Sequence, residues 1–543
     1  MTDKQPIYIL PENIERTIGK DAQRNNIMAA KLVSDSIKTT LGPKGMDKML
    51  VDSVGDITVT NDGVTILEKM EIEHPAAKMM VEIAKTQEDE VGDGTTTAVM
   101  LAGKLLENAE KLLDQKIHPT MITKGYNLAT EKVKEFLNEL SIDSSDREDI
   151  LKHVVVTAMT GKGAEAVKDK FAEIIIKAVN QIKEKNVIDM DNIKIIKNKS
   201  EGVEDTELIR GVVVDKSRTS IDMPKKIEDA KIALVSEALE VKNLEGDTKI
   251  SISTTSQLQE FMDREEMLLK KMVEKIKNSG ANVIFCQKGI DDVVQYYLAK
   301  EGIYGVRRVA KSDMENLSRT TSAKIITNIN ELSQEQLGKA QKVEEIKQGD
   351  ESMTYVTGCE NPKALTILIH GGSEHVMDEM ERSLRDGLGD VVAVVKDKKI
   401  VAGAGAIEIE LSKKLRDFSN SLSGREQLAV NEFANALEFI PVTLAENAGL
   451  DPIDVLTELK SRHDNGEKYA GINIFNNKIE DALHQGIIEP MKVKKQAISS
   501  ATEVAVMILR IDDVLSSKSE GKPRMPPMGG GGMGMPPGMA GMD

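Results

Sequence analysis

Val91–Gly92–Asp93–Gly94–Thr95–Thr96–Thr97 stands directly before an apolar run at 98–113 whose spacing predicts a long helix. Two glycines, a carboxylate and three hydroxyls therefore sit where the first backbone N–H groups of a helix lack partners. Such an end carries about half a positive charge and receives phosphate. Gly92 and Gly94 let the backbone approach a ligand closely. Asp93 alone would repel phosphate, so it points to a bridging Mg2+, which takes carboxylate and phosphate oxygens together. The stretch reads as a nucleotide–Mg2+ site. The structural alternative is a polar helix start with Asp93 or Thr95 as its N-cap.

Around this stretch lie 543 residues, too many for one core, and about three domains are expected. The net charge of −17 argues against a nucleic-acid partner, which would call for a basic face. Cys286 and Cys359 are far apart and form neither a disulfide framework nor a zinc spacing, which fits a reducing compartment. The first twelve residues are polar and lack an apolar signal region, and no run approaches the ~18 apolar residues of a membrane span. The expectation is a cytoplasmic protein without a membrane partner. Methionine is abundant and aromatics are only 3% of the chain. Flexible Met side chains suit surfaces that accept varied apolar shapes, although compositional bias explains the same excess.

Working outward, 21–40 reads as a helix with Ile27, Ala30, Val33 and Ile37 on one face. It stops at Leu41–Gly42–Pro43–Lys44–Gly45, a second candidate phosphate or base contact. The alternation over 57–67 around Asn61–Asp62–Gly63 predicts a β-hairpin with Asp62 at its tip. Helices are expected at 75–90, 98–113 and 119–140, and again at 150–160 and 164–182 around the turn Thr160–Gly161–Lys162–Gly163. From about 190 the texture changes to short strands (193–196, 208–214, 231–235, 283–287, 324–329) mixed with helices near 256–278, 290–301 and 312–320. This predicts a separate α/β unit. A strand at 363–369 and a helix at 374–395 follow. Long helices return after Gly403, one of them opened by Asp451–Pro452 as N-cap and first residue, and the last near 492–510. The tail at 525–543 is Pro, Gly and Met with almost no charge and reads as disordered.

Neither G-x-x-x-x-G-K-[ST] nor a strand–G-x-G-x-x-G–helix is present, so a nucleotide would use another architecture. The phosphate candidates at 42–45, 92–97, 161–163 and 403–405 flank the α/β insertion on both sides. To share one ligand, the chain must leave a helical body, build the middle, and return. Asp386 lies about 200° round from Leu384 in the helix at 374–395, away from its apolar stripe. It is either a solvated helix residue or a carboxylate carried by one domain to a phosphate held by another, where it would orient water for attack. His370 and His375 are too few for a metal site.

These stretches, together with His74–Pro75–Ala76–Ala77–Lys78 and Gln287–Lys288–Gly289–Ile290–Asp291–Asp292, resemble in spacing and order the signatures of group II chaperonins, the family of the archaeal thermosome. The resemblance runs along almost the whole chain. It implies a multidomain fold: a mainly α equatorial domain from 1–144 and 403–524, an α/β intermediate domain from 145–213 and 368–402, and an α/β apical domain at 214–367. A helical lid protrusion is implied at about 242–271, and a Gly/Met tail at 525–543. It implies an ATP-hydrolysing chaperone that encloses unfolded protein in a double ring of itself or paralogous subunits, eight or nine per ring, with ATP and Mg2+ as cofactors.

By position, the resemblance gives Gly42 and Pro43 the base and phosphates, Asp93 the Mg2+, and Gly94, Thr95, Thr96 and Thr97 the phosphates. Asp62 falls near the γ-phosphate, and Asp386 positions the attacking water. Thr160, Gly161 and Lys162 form a loop that senses the γ-phosphate. Gly403 and Gly405 approach the nucleotide closely, while Asn473 and Glu489 contact ribose and base. Two positions depart from the family: Ala404 stands within a run that often has three glycines, and Asn473 replaces a frequent aspartate. Leu258, Phe261, Met262, Met267, Leu268 and Leu269 exceed one narrow helical stripe and are expected to be exposed for a protein partner. Two other classes share these residues: a passive holdase whose nucleotide only stabilises the assembly, and a small-molecule kinase.

Overall fold

The computed structural model describes residues 14–144, 147–183, 188–199, 202–241, 254–348, 351–360 and 362–517. The protrusion residues 242–253 and the Gly/Met tail lie outside the described residues.

The first body is helical and is built from both ends of the chain. Gly19–Ile37, Pro75–Val91, Thr95–Asp114 and Pro119–Leu140 pack with Ala406–Asn420, Glu426–Leu437 and Met491–Leu509 around one core. Local chemistry sets the helix starts. His118 and Asp451 cap their helices with Pro119 and Pro452 at the first position, where a missing N–H costs nothing. Glycine permits the closest crossings. A Cβ on Gly103 would lie 2.4 Å from Ser34 Cβ, and one on Gly125 would lie 2.4 Å from Ala429 Cβ. Tyr126, fully buried, donates to the Leu105 carbonyl at 2.7 Å and meets Phe433 edge-on. The strand Ile14–Ile18 pairs antiparallel with Asp513–Ser517, so the first and last described segments meet on this body.

The second body is a layer. Glu148–Met159, Lys168–Ile182 and Glu374–Asp397 cover a three-stranded sheet of Ile193–Lys199, Leu365–Gly371 and Glu207–Ile209. Leu365–Gly371, buried throughout, runs parallel to Ile193–Lys199, as expected for a central strand covered on its faces. A small sheet of Ile488–Pro490, Lys399–Ala402 and Ile142–Asp143 ties this layer to the helical body.

The third body is a mixed seven-stranded sheet. Tyr304–Val306, Val283–Cys286 and Lys226–Val235 run parallel, and Gly338–Gln348, Glu351–Thr357 and Gly211–Val214 continue it antiparallel. The helix Thr255–Ser279 packs its C-terminal half here through Leu269, Val273 and Ile276.

Three local expectations are corrected. The hairpin is formed by Lys48–Val51 and Ile57–Thr60, not around residue 62. Asp62 instead caps the helix Gly63–Lys69, accepting from Thr65 N at 2.8 Å. An Asn-Asp-Gly run serves a helix start as well as a turn. The expected strand at 208–214 is two strands in two different sheets, with Arg210 between them. The strand expected at 324–329 is only Ile325–Ile326.

Gly103→Val should overpack the crossing at Ser34 and cost about 1–3 kcal/mol. Thermal unfolding of the variant is expected at a lower midpoint; an unchanged midpoint would mean that these two helices can part freely.

Candidate functional site

A cavity of about 390 Å³ opens where the helical body meets the layer. Its lining brings together Gly42, Pro43, Asp62, Asp93, Gly94, Thr95, Thr96, Thr97, Thr160, Gly161, Lys162, Gly405, Asn473 and Glu489. These residues come from seven separate stretches of the chain.

Backbone sterics hold the turns together. Gly161 has φ +82°, and a Cβ there would lie 2.2 Å from Pro43 Cα, so the turns at 41–45 and 161–163 touch main chain to main chain. Asn61 Nδ2 donates to the Gly161 carbonyl at 3.2 Å, and Asn447 Nδ2 donates to the carbonyls of Lys38 and Leu41 at 3.1 and 2.9 Å. The helix Thr95–Asp114 starts on Gly94 at φ +79° and has no side-chain cap. The alternative of a capping Asp93 or Thr95 is therefore wrong, and the N–H groups of its first turn have no capping oxygen. Gln87 Nε2 donates to the Asp93 carbonyl at 2.8 Å and fixes the turn from below.

Charge is concentrated at the inner end. Lys162 Nζ lies 2.5 Å from Asp386 Oδ2 and 3.5 Å from Asp93 Oδ1. The two carboxylates belong to different bodies, and one ammonium joins them. Asp386 is 8% exposed, not solvated. The single-stripe reading failed because the helix Glu374–Asp397 is buried on more than one side, with Ser383, Asp386, Gly387, Gly389 and Asp390 all inside. Burial pushes Asp386 up to about 7, with Asp93 and Asp62 adding to the shift and Lys162 opposing it. Burial also pushes Glu88 up to about 8, reinforced by Asp386, Asp62 and Asp93. Lys162 is held charged: its burial works against the ammonium, but Asp386 and Asp93 overcome it. At the other end Lys494 bridges Glu408 at 2.8 Å and Glu489 at 2.7 Å.

Asp386 does not line the main cavity. It lines a side chamber of about 320 Å³ with Asp62, Thr65, Glu88, Lys85 and Arg382, and Asp62 faces both spaces. Gly403 does not line the main cavity either. A Cβ there would meet Glu489 Oε1 at 2.8 Å, and its N–H donates to the Ile487 carbonyl at 2.9 Å, so it seats the strand rather than a ligand. Asn473 uses both polar atoms internally: Nδ2 donates to Glu480 at 2.9 Å and Oδ1 accepts from Phe475 N at 3.1 Å. Ala404 holds φ +57°, a left-handed conformation that glycine adopts without strain.

Of the expected protein-binding surface, Phe261, Met262, Met267 and Leu268 are exposed, at 40 to 56%. Leu269 is corrected: it is 3% exposed and belongs to the core of the third body. The side chain of Leu258 lies outside those described.

Sequence reading missed Gln87, His153, Asp390, Phe475 and Lys494 at this site. Asp390 was findable, since it stands one helical turn from Asp386 and shares its face. Gln87 and Lys494 carry no local signal, because their partners are far along the chain.

The donor set fits a nucleotide with a divalent cation. An uncapped helix start and Lys162 favour phosphate, yet Asp93, Asp62, Asp386 and Asp390 crowd the same end. A bare triphosphate would be repelled by these carboxylates, and a cation reconciles the two. Among the described residues no cluster of three or more His, Cys, Asp or Glu could hold a metal by itself, so a cation beside Asp93 would take phosphates as co-ligands.

A model of the TCP-1/cpn60 chaperonin family matches residues 33–519. The chain belongs to that family. The thermosome subunit beta of Archaeoglobus fulgidus is 57% identical over 540 residues, 98% of either chain. The thermosome subunit of Methanopyrus kandleri is 56% identical over 526 residues, 96% of each. The open-state monomer of a group II chaperonin from Methanococcoides burtonii superposes with a TM-score of 0.58 at 46% identity, covering 78% of this chain and all of that one. The three bodies described above are the chaperonin fold, and the chain is a group II chaperonin. No helix among the described residues is long and apolar enough to cross a membrane.

In this chaperonin Glu88 and Asp386 keep protons to higher pH when folded than when unfolded. Their favourable contribution is complete below about pH 4 and is lost as pH rises through 7 and 8. Glu88→Gln is therefore expected to raise the thermal midpoint of the ligand-free protein at pH 9 and to leave it nearly unchanged at pH 5. A difference independent of pH would show that Glu88 ionises normally.

Proposed function

We propose that this chaperonin hydrolyses ATP with Mg2+ in the cavity between its helical body and its layer, and that turnover drives enclosure of unfolded protein. The observation that carries the reading is the Lys162 ammonium shared between Asp93 of the helical body and Asp386 of the layer. Residues 1–144 and 403–524 are assigned as the equatorial domain, 145–213 and 368–402 as the intermediate domain, and 214–367 as the apical domain.

The roles follow from chemistry. Asp93 holds the cation, and the first turn of Thr95–Asp114 holds phosphates against its N–H groups. The touching turns of Gly42–Pro43 and Gly161 cover the nucleotide together, and Gly405, Asn473 and Glu489 line the same cavity. Mg2+ supplies charge neutralisation on the transferring phosphate. Asp62 and Asp386 share the side chamber, which has room for water beside the cavity's acidic end. A raised Asp386 carboxyl at about 7 is suited to take a proton from that water near neutral pH. Lys162 then has two carboxylates to leave when phosphate arrives, so filling the cavity changes the bond between the layer and the helical body. A ligand that binds one arrangement better shifts the population towards it.

Asp386→Ala should lower ATP turnover by about 10²–10⁴-fold with nucleotide binding retained. Phosphate release and calorimetric binding on the same preparation check this; turnover at the parental rate would favour a holdase. Product analysis that finds ADP and free phosphate without dependence on an acceptor excludes the kinase.

Assembly into rings is supported by a second surface. The hairpin Lys48–Val51 with Ile57–Thr60 is only two strands, and Met49, Val51, Val54 and Ile57 are 48 to 85% exposed on it. An isolated two-stranded ribbon is marginal in water and presents unpaired edges. The terminal pair Ile14–Ile18 with Asp513–Ser517 is likewise two-stranded, with Ile18 and Leu515 exposed. The exposed apolar half of Thr255–Ser279 is assigned to unfolded clients and lid contacts. Met49→Asp is expected to move the protein from large assemblies to single subunits in sedimentation velocity while circular dichroism stays unchanged. Intact assemblies would remove the hairpin from the subunit interface.

A further inference from the structure

Asp390 is 2% exposed and lines the nucleotide cavity, and no hydrogen bond reaches its sealed Oδ1. A buried carboxylate oxygen without a donor costs at least about 1–3 kcal/mol and calls for an explanation. The neighbouring donors are engaged elsewhere. Lys162 is held by Asp386 and Asp93, Lys494 by Glu408 and Glu489, and the Gln87 amide by the carbonyls of Asp93 and Val493. Burial pushes the Asp390 carboxyl well up, Asp93, Glu489 and Asp386 add to the shift and Lys162 opposes it; a cation in the cavity favours the carboxylate form. Its position is rigid. A Cβ on the adjacent Gly389 would lie 2.7 Å from the Val91 carbonyl oxygen and 3.2 Å from Gly92 Cα, so this turn of the helix is seated on the turn that carries Asp93.

The missing donor must come with the ligand. Phosphate oxygens only accept, and a second carboxylate would repel them. Mg2+, by contrast, keeps several of its waters when it binds, and those waters donate. We propose that Asp390 is a positioning residue for the metal: its free oxygen accepts a hydrogen bond from a water on the cation that Asp93 holds. This rests on the reading of the cavity as a Mg2+–nucleotide site. Asp93 then binds the ion directly, and Asp390 orients its hydration shell from the layer. Outer-shell partners of this kind are worth about 10–100-fold in metal affinity. Through Asp390, as through Lys162, the layer senses whether the helical body holds its cation.

The test is ADP binding to the full-length protein by titration calorimetry, first in EDTA and then across a Mg2+ series. Mn2+ electron paramagnetic resonance on the same samples reports the ion directly. For Asp390→Asn, binding in EDTA should be no weaker than the parent's, because a neutral amide replaces a carboxyl that burial keeps protonated when no cation is present. The Mg2+ concentration that tightens binding should rise about 10–100-fold, and the Mn2+ affinity should fall by the same factor. Asp390→Ser should behave alike. A Mg2+ dependence equal to the parent's in both variants would overturn the assignment. So would failure of both to fold, because an oxygen with no protein partner is not needed for folding. Absence of ADP binding by the parent protein in every condition would instead remove the nucleotide reading itself.

Discussion

The arrangement depends on how closely the helix Glu374–Asp397 can approach the turn at 91–94. Gly389 and Gly92 meet without side chains, and any Cβ at 389 would enter the main chain opposite. That contact sets the height of the helix. Gly387 does the same on the other side, where a Cβ would lie 2.9 Å from Ile175 and 3.0 Å from Met159. With both sides fixed, Asp386 reaches Lys162 and Asp390 reaches the cavity. Because close-packed interfaces tend to adopt discrete arrangements, the contact defines one docking of layer on body.

Electrostatics then make that docking conditional. Acidic groups from both bodies are gathered into a buried corner and held together by one ammonium. A corner that carries more negative than positive charge disfavours itself in isolation. Breaking one partner of a buried ion pair costs far more than losing an exposed one, about 3–5 kcal/mol. The site is thus an internal connection made by charge, whereas the cores on either side are held by apolar contact.

Much of this was legible in the sequence, and the failures have physical causes. Thr95–Asp114 and Pro119–Leu140 were readable because 3.6-residue periodicity and capping are local. The Gly-rich turns were readable as turns because left-handed backbone at Gly42, Gly94 and Gly161 favours glycine. Asp62 was misplaced because one residue serves a hairpin tip or an N-cap, and only the pairing of Lys48–Val51 with Ile57–Thr60 decides between them. The solvated alternative for Asp386 failed because a helical wheel assumes one packed face, and this helix is enclosed on several. Leu269 was placed outside because the helix Thr255–Ser279 changes environment along its length. Gly338–Gln348 was missed because it is rich in charge yet has strand partners on both sides, and among its described side chains Ala340 and Val343 are the buried ones.

The route of the chain has a consequence for biosynthesis. The helical body needs Gly19–Ile37 from the start of the chain and Met491–Leu509 from near its end, in one core. During translation the early helices emerge long before their late partners exist. At about 5–20 residues per second, the intervening polypeptide takes tens of seconds to arrive. Through that interval Ile27, Val33, Met100 and Leu105 lack the cover that Ala497, Ala501 and Ile508 later supply. The seven-stranded sheet, made from one continuous span, can mature on the ribosome first. The newborn chain thus spends its longest vulnerable phase with apolar helices uncovered.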